Sequence, residues 1–168
     1  PVTGYQIAES IGPRLLKDAI CVEIDNKFQD LSYEISENIN IRIVTTKDLD
    51  ALHILRHSSA HILAQAVLNL YPNAQFGVGP SIENGFYYDF LFETPIKENE
   101  LEDIEKEMKR IAKSAQSFIR SEITKKDAVK MFKNQKLKLE LIESAESDEG
   151  VGEELSLIHI SEPTRHCL

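Results

Sequence analysis

The first third of the chain alternates between helical and extended patterns of apolar and polar residues. Apolar residues at helical spacing predict a helix and a further short helix or turn, over residues 3–11 and 14–19. Apolar residues at every second position predict two strands, over residues 20–25 and 39–44. We therefore predict a small unit of helices and strands over residues 1–46.

A long helical pattern follows and predicts the central helix of a second unit. Residues 46–48 (Thr-Lys-Asp) predict a helix cap, and the pattern then runs from Leu49 to Tyr71, directly before Pro72. The apolar positions that carry this pattern are Leu49, Leu52, Leu55, Ile62, Ala66 and Leu70.

Turn residues predict a hairpin after this helix. Residues 76–79 and 81–92 are rich in strand-forming side chains, and Asn84-Gly85 lies near the centre of the second segment. An Asn-Gly pair supplies the positive φ angles of a tight primed turn, so we expect it at the tip of the hairpin.

The rest of the pattern predicts alternating helices and strands. A charged helix is predicted over residues 98–117, with four inward-facing residues: Leu101, Ile104, Met108 and Ile111. The remaining predicted elements are a strand over 118–123, a helix over 125–134 and a strand over 137–142.

Composition limits the class of protein. Of the 168 residues, 42% are hydrophobic and 28% are charged, which is typical of a soluble globular protein. No apolar run approaches the roughly 18 residues of a membrane helix and no signal pattern opens the chain, so we expect a cytoplasmic protein. Cys21 and Cys167 form neither a metal-type pair nor a disulfide framework, and Cys21 is expected in the core.

The charge is distributed unevenly. A net charge of −9 argues against a chain that grips nucleic acid over its whole surface, because phosphate binding depends on Lys and Arg. From Lys106 to Lys138, however, eleven basic residues stand against three acidic ones. This segment predicts either a face that meets a polyanion or a solvated helix surface, and the sequence leaves both open.

Histidines at helical spacing are the main candidates for chemistry. His57 and His61 are four residues apart, so on the predicted helix they project from one face about a turn apart, with His53 one turn earlier. The cluster lacks the Glu of a zinc-protease helix. The spacing alone leaves three interpretations open: surface or hydrogen-bonded core histidines, a metal site, or catalysis.

Two motifs give these histidines a context. The run RHSSAH over residues 56–61 is followed by GPSIENGFYYD over residues 79–89. In this order and at this spacing, the motifs resemble the N2 editing domain of bacterial threonyl-tRNA synthetases, and the segment before them resembles a TGS domain. The resemblance implies an α+β fold: an N-terminally incomplete, β-grasp-like TGS domain over residues 1–46, then a C-terminally incomplete α+β editing (SAD-like) domain over residues 47–155.

The resemblance also implies roles for five residues. His57 and His61 match the family's editing-site histidines, and Lys138 matches its active-site lysine across a short gap. Tyr88 matches the tyrosine that lines the pocket, and Gly79 matches a glycine at its floor. By this resemblance His57 and Lys138 orient or deprotonate a water and stabilise the oxyanion, while His61 positions the terminal ribose of the tRNA. Without the resemblance, Lys138 would be a solvated strand lysine.

The implied function is hydrolysis of mischarged seryl-tRNA(Thr), in an enzyme whose separate catalytic domain attaches threonine to tRNA(Thr) with ATP. The implied partners are tRNA(Thr), threonine, serine and ATP, and the implied full-length enzyme is a homodimer with magnesium and zinc. No metal is implied within these residues, and we expect the 168-residue chain alone to be inactive. Two alternatives remain: a non-catalytic TGS-type binding module of a regulatory protein, and a relative of alanyl-tRNA editing domains with zinc at His57 and His61.

We have separate expectations for the two ends of the chain. It starts at Pro1 and directly enters a helical pattern, so we expect a missing upstream piece. Residues 156–168 (SLIHISEPTRHCL) resemble a translation of sequencing-adapter or vector DNA, so we expect them to be non-native.

Overall fold

The structure, a computed structural model, describes residues 1–114, 118–144 and 154–160; for residues 118–122 and 154–160 it describes the backbone alone. The chain forms two compact units, Pro1–Leu55 and Arg56–Leu168. Both mix helices and strands, which confirms the predicted α+β class. The predicted bounds of the TGS and editing domains stay a prediction. Within the described ranges, no helix combines the length and apolar character needed to cross a membrane.

The first unit is built on a three-stranded antiparallel sheet. Its helices are α1 (Gly4–Ile11) and α2 (Pro13–Asp18), and its strands are β1 (Val2–Thr3), β2 (Ala19–Ile24), β3 (Lys27–Asp30), β4 (Glu34–Ile35) and β5 (Ile41–Thr45). Strand β2 lies between β3 and β5, and β1 pairs with β4. The predicted helices and strands of this unit are confirmed. The sequence analysis missed β1, β3 and β4, which are short and carry little apolar alternation.

Local chemistry sets the ends of these elements. The Thr3 hydroxyl accepts a hydrogen bond from the Gln6 amide and the Gln6 side chain accepts one from the Thr3 amide, which closes a capping box at α1. Between β2 and β3, Asp25 and Asn26 have φ angles of 49° and 62°. These two residue types tolerate the left-handed region, and the resulting two-residue turn joins the paired strands.

The helix α3 (Leu49–Leu70) begins in the first unit, where its first turns pack on the sheet. Ala51 is buried together with Cys21 of β2 and Val44 of β5. The expectation that Cys21 is a core residue is therefore confirmed.

An arginine links β5 to the residues around the start of α3. Arg42 of β5 donates hydrogen bonds to Glu23, to Asp48 at 2.9 Å and to Asp50 at 2.7 Å. Asp48 also accepts from the amide and the hydroxyl of Thr45, and these bonds lower the pKa of its carboxyl. The Asp48 carboxyl thus bonds to Arg42 and Thr45, and the helix cap predicted at residues 46–48 stays a prediction.

The second unit combines helices with short antiparallel strand pairs. After the remainder of α3, its helices are α4 (Leu101–Lys113), preceded by a 3₁₀ turn (Glu98–Glu100), α5 (Lys125–Met131) and α6 (Lys136–Ser144). Its strands are β6 (Gln75–Phe76), β7 (Ser81–Ile82), β8 (Gly85–Phe86), β9 (Phe90–Leu91), β10 (Phe118–Thr124) and β11 (Glu154–Ile160), paired as β6 with β9, β7 with β8 and β10 with β11. Its core includes Ala64, Ala66, Val67, Phe76, Ile104, Ile111, Phe132 and Ile142.

The length of α3 is confirmed, but the residues that carried its predicted pattern are largely exposed. Leu49 is 94% exposed, and Leu52, Leu55 and Leu70 are exposed as well. Four of the eight buried positions of α3 are instead alanines, namely Ala51, Ala60, Ala64 and Ala66, and the others are His61, Gln65, Val67 and Leu68. Alanine allows neighbouring elements to approach closely, so the buried side of this helix is marked by small side chains rather than by leucines.

The predicted tip of the hairpin is wrong by one residue. Ile82 of β7 pairs with Gly85 of β8, so the loop consists of Glu83 and Asn84. Neither loop residue has a positive φ, whereas Gly85 has a φ of 153° at the start of β8. The glycine is thus used for an unusual strand conformation and not for a primed turn.

The helix α4 confirms three of its four predicted inward residues. Ile104 and Ile111 are buried, and Met108 packs against the same core. Leu101 is 51% exposed, because it lies at the first residue of α4. The predicted continuation over residues 115–117 lies outside the described residues.

The strand predicted over residues 137–142 is wrong, because this segment forms α6. Leu137, Leu139 and Leu141 suggested a period of two. The buried positions are Lys138 and Ile142, four residues apart, with Leu139 packed against the core, which is a helical stripe. Residues 136–141 are Lys, Leu and Glu only, all strong helix formers without branching at Cβ.

The strand predicted over residues 118–123 is confirmed as β10 and the helix predicted from residue 125 as α5. The backbone of β10 pairs with β11, from Phe118 opposite Ile160 to Thr124 opposite Glu154. Residues 156–160 thus belong to a paired strand. The non-native origin of residues 156–168 concerns the coding sequence and stays a prediction.

Gly4 tests how closely α1 approaches the sheet. A Cβ atom at this position would lie 2.6 Å from Cγ1 of Val22 and 3.1 Å from the carbonyl oxygen of Leu31. We expect Gly4→Ala to lower the free energy of unfolding by about 1–3 kcal/mol, because overpacking outweighs the gain in helix propensity of at most about 1 kcal/mol. Urea unfolding measures this. Glu9→Ala on the exposed side of α1 is the control, and unchanged stability of Gly4→Ala would contradict the close approach.

Candidate active site

In the second unit, α3 presents His57 and His61 one turn apart. Their Nε2 atoms are 3.1 Å apart, and the rings meet edge to face with centroids 4.6 Å apart. His57 is exposed, whereas His61 is only 5% exposed. A hydrogen bond between two imidazole nitrogens needs one N–H and one lone pair, so one of the two Nε2 atoms must be unprotonated.

The surroundings of His61 favour its uncharged form. Burial is the largest cause that lowers its pKa from 6.5 to about 4, and the electrostatic effects of His57 and Lys138 act in the same direction. A buried imidazolium would lose its hydration and also meet like charge. His61 is therefore a neutral ring at pH 7.

Lys138 lies in the interior of the second unit. Its side chain on α6 is 1% exposed, and Nζ lies 5.1 Å from the centre of the Phe76 ring and 6.0 Å from that of Tyr88. Both distances fall within the range of cation–π attraction, about 6 Å. The solvated strand lysine expected from composition alone is therefore wrong: Lys138 is buried, helical and near enough to His61 to lower its pKa.

Two glutamines hold α6 against β6 and so set the place of Lys138. The Gln75 side chain accepts from the Lys136 amide at 2.7 Å and donates to the carbonyl of Asn134 at 3.0 Å. In return, the Gln135 side chain accepts from the Phe76 amide at 3.2 Å and donates to the carbonyl of Ala74 at 3.2 Å. This reciprocal exchange satisfies the free backbone amide of Lys136 at the start of α6 and joins α6 to the strand that carries Phe76.

Tyr88 and Gly79 pack directly on each other. The backbone of Gly79 has no positive φ, but a Cβ atom there would overlap the ring of Tyr88. On its other contact, the Tyr88 ring stacks on Phe90 with centroids 5.0 Å apart. Gly79 is therefore required by space, and the ring of Tyr88 is fixed between neighbours.

The structure brings all five predicted site residues together. His57 contacts His61, Lys138 shifts the pKa of His61, Tyr88 lies beside Lys138, and Gly79 supports Tyr88. Their catalytic and binding roles stay a prediction.

The sequence analysis missed two residues of this cluster. Phe76 lies under Lys138, and Gln65 is buried on α3 one turn after His61. Extending the four-residue spacing of the histidines would have found Gln65, whereas nothing local marks Phe76. Within the described ranges no three His, Cys, Asp or Glu side chains gather in a way that could hold a metal ion.

The low pKa of His61 predicts how stability depends on pH. Between about pH 6.5 and pH 4 the unfolded chain binds a proton at His61 that the folded chain does not, so this residue lowers the free energy of unfolding as the pH falls. The full loss is about 3 kcal/mol.

We expect His61→Gln to reduce the loss of stability between pH 7 and pH 4 relative to the unsubstituted chain. Urea unfolding at several pH values measures the difference, which separates His61 from the carboxylates that titrate in both proteins. His53→Gln, an exposed histidine on the same helix, is the control. An identical pH dependence in His61→Gln and the unsubstituted chain would show that His61 is not held neutral.

The contact of Gly79 with Tyr88 predicts energetic coupling. Gly79→Ala is expected to lower the free energy of unfolding by about 1–3 kcal/mol, and by much less when Tyr88→Leu removes the ring that it would meet. Gly77→Ala is the matched control, since a Cβ atom there would lie 3.2 Å from Cβ of Asp89 and needs only a small shift. Equal costs of Gly79→Ala with and without the Tyr88 ring would contradict the assignment.

Comparison with known proteins gives this cluster a context. No family model matches the chain. It is 45% identical over 154 residues to the threonine-tRNA ligase of Ralstonia nicotianae, 46% over 152 residues to that of Francisella philomiragia and 47% over 146 residues to that of Paraburkholderia phytofirmans. These matches cover 90%, 89% and 86% of this chain but only 24%, 24% and 23% of the relatives, so the chain spans about a quarter of their length. The chain is thus similar in sequence to about a quarter of the threonine-tRNA ligases of these three bacteria.

Proposed function

We propose that the chain is the N-terminal part of a threonine-tRNA ligase and that its second unit carries a site for hydrolysis of seryl-tRNA(Thr). Its first unit would be a TGS domain. The proposal assigns ATP-dependent attachment of threonine, with its magnesium and zinc, to parts of the protein beyond these residues. The names of the relatives support a ligase, and the cluster around His61 supports a hydrolytic site.

The observation that carries the proposal is the burial of Lys138 beside a neutral histidine. A lysine with 1% exposure is rare in a protein interior, where charged groups are otherwise kept in water. A strongly perturbed histidine next to such a group is typical of functional sites. Neither feature is needed to stabilise the fold, since an apolar residue at position 138 would fill the same interior.

A hydrolytic site answers a chemical problem of any threonine ligase. A pocket that accepts threonine also accepts serine, because one missing methyl group is worth only about 1–3 kcal/mol, or about 10–200-fold in rate. A second site that removes serine from the tRNA restores accuracy. Such a site has to cleave an ester and to refuse the additional methyl group of threonine.

The residues suit ester hydrolysis in the following way. Water attacks the carbonyl carbon of the seryl ester, a neutral imidazole accepts the proton of that water, and the carbonyl oxygen becomes an oxyanion. The bond to the ribose oxygen then breaks and that oxygen takes a proton. His57 is exposed and reaches water, so we assign the proton transfer to it, while the neutral ring of His61 holds His57 or the ribose by a hydrogen bond.

Lys138 has the complementary role in this proposal. An ammonium that keeps its charge in an interior interacts strongly with a developing oxyanion, because water does not screen the attraction. The ring of Tyr88, fixed against Gly79 and Phe90, supplies a rigid wall that limits the size of the amino acid. Serine would fit this space, and the methyl group of threonine would not.

We predict that His57→Ala or His61→Ala, in the full-length ligase that contains this sequence, abolishes removal of serine from tRNA(Thr) and leaves threonine charging nearly unchanged. Loss of a water-orienting or oxyanion-stabilising group costs about 10²–10³ in rate. The measurement compares deacylation of preformed seryl-tRNA(Thr) with aminoacylation for each variant. Lys138→Met is expected to behave in the same way.

His53→Ala is the matched control, since His53 is an exposed histidine on α3. Editing that survives replacement of both His57 and His61 would refute the proposed roles. An equal loss of charging would show that the helix serves both activities. Dependence of hydrolysis on added zinc, lost on chelation, would favour a metal site of the alanyl-tRNA editing type.

A further inference from the structure

The side chain of Phe76 has a relation to Lys138 that packing alone does not require. Phe76 is 3% exposed and belongs to the core of the second unit. Its edge-to-face contact with Phe132, at 6.3 Å between centroids, is ordinary core packing. Its distance of 5.1 Å from the Lys138 ammonium is not, because a core face is normally covered by apolar atoms.

We propose that Phe76 is a positioning residue whose ring, together with that of Tyr88, holds Lys138 in its charged form at the place where it faces His61. The face of an aromatic ring carries negative charge density and attracts a cation most strongly where water is excluded. Two rings at 5.1 and 6.0 Å thus replace part of the hydration that the ammonium loses.

The charged groups around Lys138 make this support necessary. From α3, His61 is close enough to Lys138 for the two groups to disfavour each other's charge, and His57 acts on His61 in the same direction. The segment that follows β8 contributes the ring of Tyr88. His61 is the group that stays uncharged, which leaves the positive charge to Lys138. The rings of Phe76 and Tyr88 lie within cation–π range of Lys138 and so favour a positive charge there.

The position of the Phe76 ring is itself fixed from the backbone. The Phe76 amide donates to the Gln135 side chain, and Gln75 holds the first residue of α6. The ring and the lysine are therefore tied to each other through two short hydrogen-bonded segments. This arrangement determines where Nζ lies, which a merely apolar neighbour would not do.

Titration of the Lys138 ammonium by NMR in the 168-residue chain tests the inference, with ¹³Cε and ¹⁵Nζ labelled lysine and Lys138→Arg to assign the signal. We expect Phe76→Leu to lower the pKa of Lys138 by about one unit, the equivalent of a cation–π contact in an interior. Phe76→Tyr, which keeps the ring face, should leave it within a few tenths of a unit. Phe132→Leu is the matched control, since Phe132 is equally buried in the same core.

A second substitution covers the case in which Phe76→Leu does not fold. Incorporation of 3,4,5-trifluorophenylalanine at position 76 keeps the shape of the ring but withdraws charge from its face, so the pKa of Lys138 should again fall. An unchanged pKa in both Phe76 variants overturns the inference, and so does an equal fall in Phe132→Leu.

The inference rests on the proposed function only for its catalytic consequence. In the full-length ligase, Phe76→Leu should reduce the rate constant for deacylation of seryl-tRNA(Thr) by about tenfold with little change in KM, and Phe76→Tyr should restore it. A fall in the pKa of Lys138 without any loss of deacylation supports the positioning role of Phe76 and refutes the proposed role of Lys138 in hydrolysis. The two claims can thus fail separately.

Discussion

The candidate site depends on the burial of the Lys138 side chain. Removing a cation from water costs several kcal/mol even after relaxation, so Lys138 can stay inside only if its surroundings compensate for that loss. The compensation comes from the rings of Phe76 and Tyr88, each within the range of cation–π attraction. In addition, His61 is uncharged at pH 7 and so does not repel the ammonium. The packing around this site is therefore arranged for a charge as much as for apolar contact.

The burial of Lys138 also explains why uncharged glutamine side chains connect α6 to β6. Gln75 and Gln135 join segments about 60 residues apart in sequence, with separations of 59 and 61 positions. Carboxylates in these places would pair with Lys138 or with the many surface lysines of this region, and they would carry a desolvation cost of their own. Amides satisfy the backbone groups at the start of α6 without adding charge. The position of α6, and with it that of Lys138, thus depends on hydrogen bonds of Gln75 and Gln135, which do not titrate.

The sequence predicts local elements well and long-range placement poorly, for identifiable reasons. The capped helix α1, the long helix α3 and the strands β2 and β5 follow from spacing and from cap chemistry within a few residues. The segment of α6 was wrongly predicted as a strand, because its leucines alternate while its burial follows Lys138 and Ile142. A pattern of hydrophobic and polar residues assigns every lysine to the solvent side, so it cannot identify a buried one. The error in secondary structure and the unexpected burial of Lys138 therefore have one cause.

In the candidate site, too, local contacts follow from the sequence and long-range contacts do not. The pairing of His57 with His61 needs nothing beyond a helix, so their spacing was sufficient to predict it. The neighbourhood of Lys138 depends on Phe76, on Gly79 and on the glutamine contacts, and no local pattern connects these residues. Only the resemblance of the motifs to a known family connects four of the five members, and it adds Lys138 across a gap. No sequence motif marks Phe76. Its proposed role uses the face of its ring, which every phenylalanine in a core has.

The distribution of charge also limits what the site can do. A cluster with several protonated groups would bind an anion tightly in its resting state, and such uniform binding does not accelerate a reaction. Here the buried histidine is neutral, and the ammonium lies near two aromatic rings in the interior. A group of this kind gains most when negative charge develops next to it during a reaction, because no water has to reorganise. This argument favours an oxyanion that exists only transiently, as in ester hydrolysis, over a permanently bound phosphate or carboxylate.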